Sequence, residues 1–223
     1  MNTACGKSYR LGPFDLVSCL AGFGLMILFL ASLGCGAVKA HAPEGDRVGE
    51  DADSPVGASD LFDLGNHPLN PFQSADAKAI VFIFVRPDCP ISNRFAPEIQ
   101  RLFKKYERQG IAFWLVYPDP DIHPKEIILH TKEFQLSLGV LRDPRHALVR
   151  KAGVRVTPEA AVFFPDGRRV YRGRIDNRYE DFGKERPSPT HRELDDALTS
   201  ILDGRPVTNA TTLAVGCYIP KLP

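Results

Sequence analysis

The chain has 223 residues, 43% hydrophobic and 25% charged, a balance that supports one globular domain plus a targeting segment rather than two domains. Its 28 Lys and Arg stand against 27 Asp and Glu, and a formal net charge of +1 gives no bulk electrostatic case for nucleic acid as a partner. There is no internal repeat and no long low-complexity tract, which excludes solenoids and extended disordered chains.

Lys7 and Arg10 precede an uncharged, mostly apolar run from Leu16 to Val38. A basic start, an apolar stretch and a small-residue site at Ala40-His41-Ala42 describe a secretory signal peptide. The run is also long enough to span a bilayer, for which about 20 residues suffice, so a retained anchor is a rival reading. Lipidation at Cys35, behind Ser32-Leu33-Gly34, is a third. Residues 1–42 are therefore read as signal peptide or membrane anchor. All three readings export the rest to a periplasmic or other extracytoplasmic space, where disulfides persist. Residues 43–59, rich in Gly, Pro, Asp and Glu, read as a flexible linker.

The folded domain is expected over 60–204. Asp60 to Leu64 reads as a short first strand. Ala79 to Val85 is a continuous apolar run rich in β-branched and aromatic residues, as in a strand buried on both faces. Asn93 to Tyr106 follows at helical spacing, with Phe95, Ile99, Leu102, Phe103 and Tyr106 on one face. Ile111 to Tyr117 is a second buried strand, and strand, helix, strand implies a right-handed parallel unit. Pro124 to Phe134 is expected as a helix with Ile127, Ile128 and Thr131 inward, Leu138 to Leu141 as a strand, and Arg145 to Ala152 as a short helix. Ala160 to Phe164 and Arg169 to Ile175 flank Pro165-Asp166-Gly167, and Asp-Gly between two strands signals an antiparallel hairpin. Asn177 to Thr190 reads as a polar loop. His191 to Leu202 closes the domain as a helix, with Leu194, Ala197, Leu198, Ile201 and Leu202 on one face and Gly204 ending it. The tail, 205–223, has no clear periodicity and carries Cys217.

This order describes an α/β domain with a central mixed sheet flanked by helices. Its most informative stretch is Arg86-Pro87-Asp88-Cys89-Pro90-Ile91-Ser92-Asn93-Arg94-Phe95-Ala96-Pro97. Cys89 falls between a buried strand and a helix, where free N–H groups and the positive end of the helix dipole favour thiolate, the nucleophilic form. Pro90 suits the first helical turn. Of the five cysteines, Cys5, Cys19 and Cys35 lie in the targeting segment, so only Cys89 and Cys217 remain for a pair, a metal site or one reactive thiol.

The stretch resembles the thioredoxin-like superfamily, which carries Cys-x-x-Cys at this junction and a helix-kinking proline five residues after the second Cys. Cys89 matches the first Cys and Pro97 the kink proline, while Ser92 replaces the second Cys. Val156-Thr157-Pro158-Glu159 before a strand resembles the superfamily's cis-proline site, which implies that Pro158 shapes the site and that Thr157 offers backbone hydrogen bonds to an extended partner. Together with Tyr171-Arg172-Gly173-Arg174-Ile175-Asp176 and Gly216-Cys217, these residues are similar to exported bacterial redoxins related to the alkyl hydroperoxide reductase/thiol-specific antioxidant class, some of them joined to c-type cytochromes. The resemblance spans about Asp60 to Ile219. It implies a thiol-disulfide oxidoreductase with Cys89 as attacking thiolate, Ser92 as hydrogen-bond donor to its sulfur and Cys217 as candidate resolving thiol. No cofactor is required, and the partners are protein thiols or disulfides, a c-type cytochrome or another membrane redox partner among them.

Three alternatives stay open. Peroxidatic enzymes place Thr or Ser three residues before the reactive Cys, where this chain has Arg86, although Arg94 is available to stabilise a thiolate or peroxide. A non-catalytic binding module is consistent with the missing second Cys. A soft copper or zinc site would combine Cys89 and Cys217 with His123, His130 or His146, but each histidine alone reads as a surface residue. Arg174 and Asp176 at the hairpin's end, and Tyr117, Asp119 and Asp121 beyond a strand's C-terminal end, are weaker site candidates.

Overall fold

The computed structural model describes residues 60–73 and 76–222. The expected targeting segment at 1–42 and linker at 43–59 lie outside the described residues. Among the described residues, no helix is long and apolar enough to cross a membrane.

Four strands and three helices build the first half: β1 (Ala79–Phe84), α1 (Pro90–Tyr106), β2 (Ile111–Tyr117), α2 (Pro124–Glu133), β3 (Gly139–Arg142), α3 (Ala147–Ala152), then the short β4 (Val156–Thr157). The second half runs β5 (Glu159–Phe163), β6 (Arg169–Gly173), a small hairpin of β7 (Tyr179–Asp181) and β8 (Lys184–Glu185), α4 (Glu193–Leu202) and β9 (Cys217–Tyr218). The main sheet has the order β3-β2-β1-β5-β6, parallel across β3, β2 and β1 and antiparallel from β1 onward. This is the thioredoxin-like architecture.

Alternation along β1 explains the layering. Ala79, Val81 and Ile83 face a cluster with Phe95, Ile99 and Leu102 of α1 and Leu194, Ala197 and Leu198 of α4. Ile80, Phe82 and Phe84 face a second cluster with Leu148 and Ala152 of α3 and with Leu61. All six β1 side chains are fully buried, and each large one contributes about 1.5–3 kcal/mol. The central strand is thereby fixed on both faces, and its C-terminal end is the platform from which the chain turns into α1.

Several expectations are corrected. Asp60 to Leu64 is not a strand: Phe62 makes isolated bridges to Pro68 and Arg142. Helix α1 begins at Pro90 because Cys89 caps it. On α2, Ile128 is exposed and His130 is buried in its place. The polar loop after β6 contains the β7–β8 hairpin, turned at Gly183 with φ +75°. The tail is bound to the sheet: Arg172 N–H donates to Ala210 O, Thr212 N–H donates to Arg172 O, and β9 pairs antiparallel with β4.

Candidate active site

Cys89 is the N-cap of α1, in extended conformation (φ −92°, ψ 107°), with Pro90 at the first helical position. Its thiol is fully buried. The sulfur donates to the Thr157 carbonyl at 3.0 Å and accepts the Ser92 main-chain N–H at 3.4 Å. The helix therefore supplies one of its free N–H groups to the position where negative charge develops on ionisation. The Ser92 side chain is also buried and lies within reach of the sulfur, favouring the thiolate, and it has no other hydrogen-bond partner. The Thr157–Pro158 peptide bond is cis, and the Thr157 carbonyl faces the Cys89 sulfur.

Thr157 joins the two thiols. It pairs across the β4–β9 ladder with Cys217, which brings the Cys217 residue beside the Cys89 sulfur. Both cysteines are free. Their acidities are pushed apart. For Cys89, burial opposes ionisation, but hydrogen bonds from Cys217 and Ser92 outweigh it and the thiol is more acidic than an ordinary cysteine. For Cys217, burial, its hydrogen bond to Cys89 and the negative charges of Cys89 and Asp88 outweigh nearby Arg86 and push it up to about 12. Cys89 is the more acidic member of the pair, and Cys217 is the one that keeps its proton.

A second set of groups holds the Cys89 turn from behind. Asn93 Nδ2 donates to the Pro87 carbonyl at 2.8 Å, and His130 Nε2 meets Asn93 Oδ1 at 3.0 Å. Tyr117 Oη meets His130 Nδ1 at 2.7 Å. Because Asn93 spends its amide N–H on Pro87, its oxygen must accept from His130 Nε2–H. That assigns the imidazole tautomer and leaves Nδ1 to accept the tyrosine hydroxyl. Burial lowers the His130 pKa and raises that of Tyr117, so both stay neutral in these roles. Sequence reading missed this relay: His130 was taken as a surface residue. The signal available was its place four residues before Phe134, on the inward face of α2.

The remaining candidates are dispersed. Arg94 is exposed and pairs with Glu185 at 3.0 Å beside a groove of about 290 Å³, lined by Pro90, Ile91, Tyr179 and Gly183. Arg86 holds Asp88 at 2.7 Å and reaches the Tyr218 carbonyl at 3.3 Å, so it ties the Cys89 turn to β9. Arg174 is paired with Glu193, and Asp176 is buried and accepts the Arg178 N–H at 2.8 Å. Asp119 accepts the Asp121 N–H at 3.0 Å. The soft metal site with a histidine third ligand is not assembled. His130 uses both ring nitrogens as above, His146 Nε2 meets the Pro118 carbonyl at 2.7 Å, and His123 Nδ1 accepts the Lys125 N–H at 3.2 Å. Among the described residues, no group of three or more His, Cys, Asp or Glu is placed to hold a metal ion.

No protein-family model matches the chain, and no curated protein matches it. Solved structures do. An uncharacterized conserved protein from Geobacillus kaustophilus is 23% identical with a TM-score of 0.63, the match covering 75% of this chain and 92% of that one. A hypothetical protein from Sinorhizobium meliloti 1021 is 21% identical with a TM-score of 0.62, covering 71% and 88%. A secreted Mycobacterium tuberculosis disulfide oxidoreductase homologous to E. coli DsbE is 15% identical with a TM-score of 0.43, covering 65% and 93%. At these identities the likeness is one of fold.

Proposed function

We propose that this domain is a thiol-disulfide oxidoreductase working outside the cytoplasm, with Cys89 as attacking thiolate and Cys217 as resolving thiol. The observation that carries the reading is the pairing of Thr157 with Cys217, which brings a second thiol to a sulfur that lacks the usual neighbour at position 92. Export rests on the N-terminal sequence.

The chemistry follows from the divided acidities. Cys89 thiolate attacks a partner's disulfide, one S–S bond breaks, and a mixed disulfide forms as the partner's other sulfur leaves as thiolate. Cys89 is then neutral, and burial remains but the Cys89 charge that added to it in raising Cys217 is gone. Cys217 loses its proton to solvent and attacks the Cys89 sulfur, forming Cys89–Cys217 and releasing the second partner thiolate. The partner disulfide gains two electrons and the cysteine pair loses two. In reverse the domain oxidises a partner dithiol. The second nucleophile is thus easier to ionise after the first has reacted than before. Ser92 and the helix N-terminus stabilise Cys89 whenever it leaves as thiolate.

The test is the thiol state of the purified protein, by mass spectrometry with alkylation before and after reduction. A reversible Cys89–Cys217 disulfide, with exchange abolished in Cys89→Ser, supports the reading. Two thiols that stay free under mild oxidant would remove the two-cysteine cycle.

A further inference from the structure

Cys89 is fully buried, so a partner sulfur has no path to it as the protein stands. The hydrogen-bond partners of its sulfur, Thr157 and Ser92, belong to buried parts of the domain, whereas the neighbouring Cys217 sits on β9, a strand of two residues in the tail.

The tail is attached unevenly. Its first attachment is firm: Arg172 N–H to Ala210 O at 2.9 Å, Thr212 N–H to Arg172 O at 3.0 Å, and Arg174 N–H to Thr212 Oγ1 at 3.1 Å, with Tyr171 Oη 3.0 Å from the same hydroxyl. Then comes Leu213, 85% exposed. The second attachment is smaller than a full strand's. Val215 and Cys217 pack half-buried against one core cluster and Ile219 against the other. Beyond its short ladder with β4, β9 has the Ile219 N–H bond to Arg155 O at 3.0 Å and two long contacts: Thr157 Oγ1 to Cys217 O at 3.5 Å, and Arg86 Nη1 to Tyr218 O at 3.3 Å. The Tyr218 ring, 76% exposed, adds little burial. Gly216 passes so close to β4 that a Cβ there would lie 2.2 Å from the Thr157 carbonyl oxygen. Segments with few buried contacts and little backbone protection open locally at low cost.

We propose that β9 is a gate over Cys89, hinged between Thr212 and Leu213, and that partner proteins reach Cys89 only while it is off the β4 edge. In the dithiol form a few hydrogen bonds and the half-buried Val215, Cys217 and Ile219 side chains hold it. The Cys89–Cys217 disulfide latches it shut by a covalent bond until a partner or small thiol reduces it. Opening bares the main-chain edge at Thr157, against which a partner's extended cysteine-bearing segment takes the place of Gly216–Ile219. The latch rests on the oxidoreductase reading; the gate does not.

The test is the iodoacetamide alkylation rate of Cys89 in the full-length reduced protein, followed by peptide mass mapping. It is run near pH 10, where an ordinary thiol (pKa about 8.5) is also ionised and the rate reports access alone. Ile219→Pro removes the donor to Arg155 O, and Gly216→Val drives a side chain into the Thr157 carbonyl. Each is expected to raise the Cys89 rate by about tenfold, from the loss of seating interactions in a locally opening segment. Far-UV circular dichroism should be unchanged. If Gly216→Val does not fold, Ile219→Pro decides alone. Rates equal to wild type in a folded variant, or a wild-type rate matching that of the urea-unfolded chain, would overturn the gate. A lost rate difference beside an intact reversible disulfide removes the gate and keeps the oxidoreductase. A rate difference without that disulfide does the reverse.

Discussion

Replacing His130 with Ala probes the relay behind the Cys89 turn. The imidazole is almost wholly buried and bridges the Tyr117 hydroxyl at 2.7 Å and the Asn93 side-chain oxygen at 3.0 Å. Removing it strands the hydroxyl of a fully buried tyrosine, at about 1–3 kcal/mol. Asn93 is only half-buried, so water can replace that partner. The ring also packs on Tyr117 and Phe134, with centroids 5.7 and 5.0 Å away, and its loss adds about 1–2 kcal/mol. The sum is about 2–5 kcal/mol out of a typical total of about 5–15. In urea at pH 8, where His130 is neutral in both folded and unfolded chains, the midpoint should fall by about 1–2.5 M. The diagnostic is a sign change. Tyr117→Phe alone strands His130 Nδ1 and destabilises by about 1 kcal/mol, whereas in the His130→Ala background it removes the stranded hydroxyl and restores about 1–2 kcal/mol. A loss below about 1 kcal/mol for His130→Ala, or equal costs for Tyr117→Phe in both backgrounds, would refute the relay.

Other outcomes follow from the same structure. Cys217→Ala removes one of the interactions that outweigh burial at Cys89, so the Cys89 pKa, read from the pH dependence of thiolate absorbance at 240 nm, should rise; an unchanged or lower value would count against the thiol contact. Asp143 is fully buried, and burial outweighs its bonds from the Ala147 and Val149 N–H groups, raising its pKa to about 7. Its folded value lies above its unfolded one, so its contribution to stability is greatest below about pH 4 and declines as pH rises to about 7, by a few kcal/mol. The His130 contribution has the opposite sign, since its folded pKa is lowered and protonation of the unfolded chain removes stability as pH falls below about 6.5. Asp143→Asn should therefore make stability fall more steeply with decreasing pH than in the wild type; an unchanged urea-midpoint profile would reject the raised carboxyl. Gly173 has φ +148° and a Cβ there would meet Thr212 Oγ1 at 2.1 Å, so Gly173→Ala should lower Tm by several degrees, and a neutral result would show that the tail's anchor yields.

The sheet was legible because its central strand is buried on both faces and reads as an unbroken apolar run, and because Asp166-Gly167 announces its hairpin. Gly167 indeed sits at φ +86°, with Phe164 N–H bonded to Arg168 O. The errors fall where sequence pattern and burial diverge. Ile128 was taken for core and His130 for surface because hydropathy ranks them so. A histidine with both ring nitrogens satisfied can be buried at little cost, however, and an exposed isoleucine costs almost nothing. The β7–β8 hairpin escaped notice because its strands are two and three residues long, too short for alternation to register.

The site divides along the same line. Cys89, Ser92, Thr157 and Pro158 were visible because they lie at element junctions, where local chemistry leaves marks: a cap, a first-turn proline, a proline before a strand. Cys217 was visible only as a second thiol of unknown address. No local pattern specifies that Gly216-Cys217-Tyr218 forms a strand, because the instruction lies in the partner edge at Val156–Thr157 and in a glycine small enough to pass the Thr157 carbonyl. The cysteine pair is therefore a non-local feature built from two local ones. The same separation that hid it from the sequence lets the two thiols differ in mobility. Cys89 is fixed at the head of α1 and Cys217 lies on a segment anchored at Thr212; under the proposed cycle, that segment would let the second thiol withdraw for a partner and return to complete the exchange.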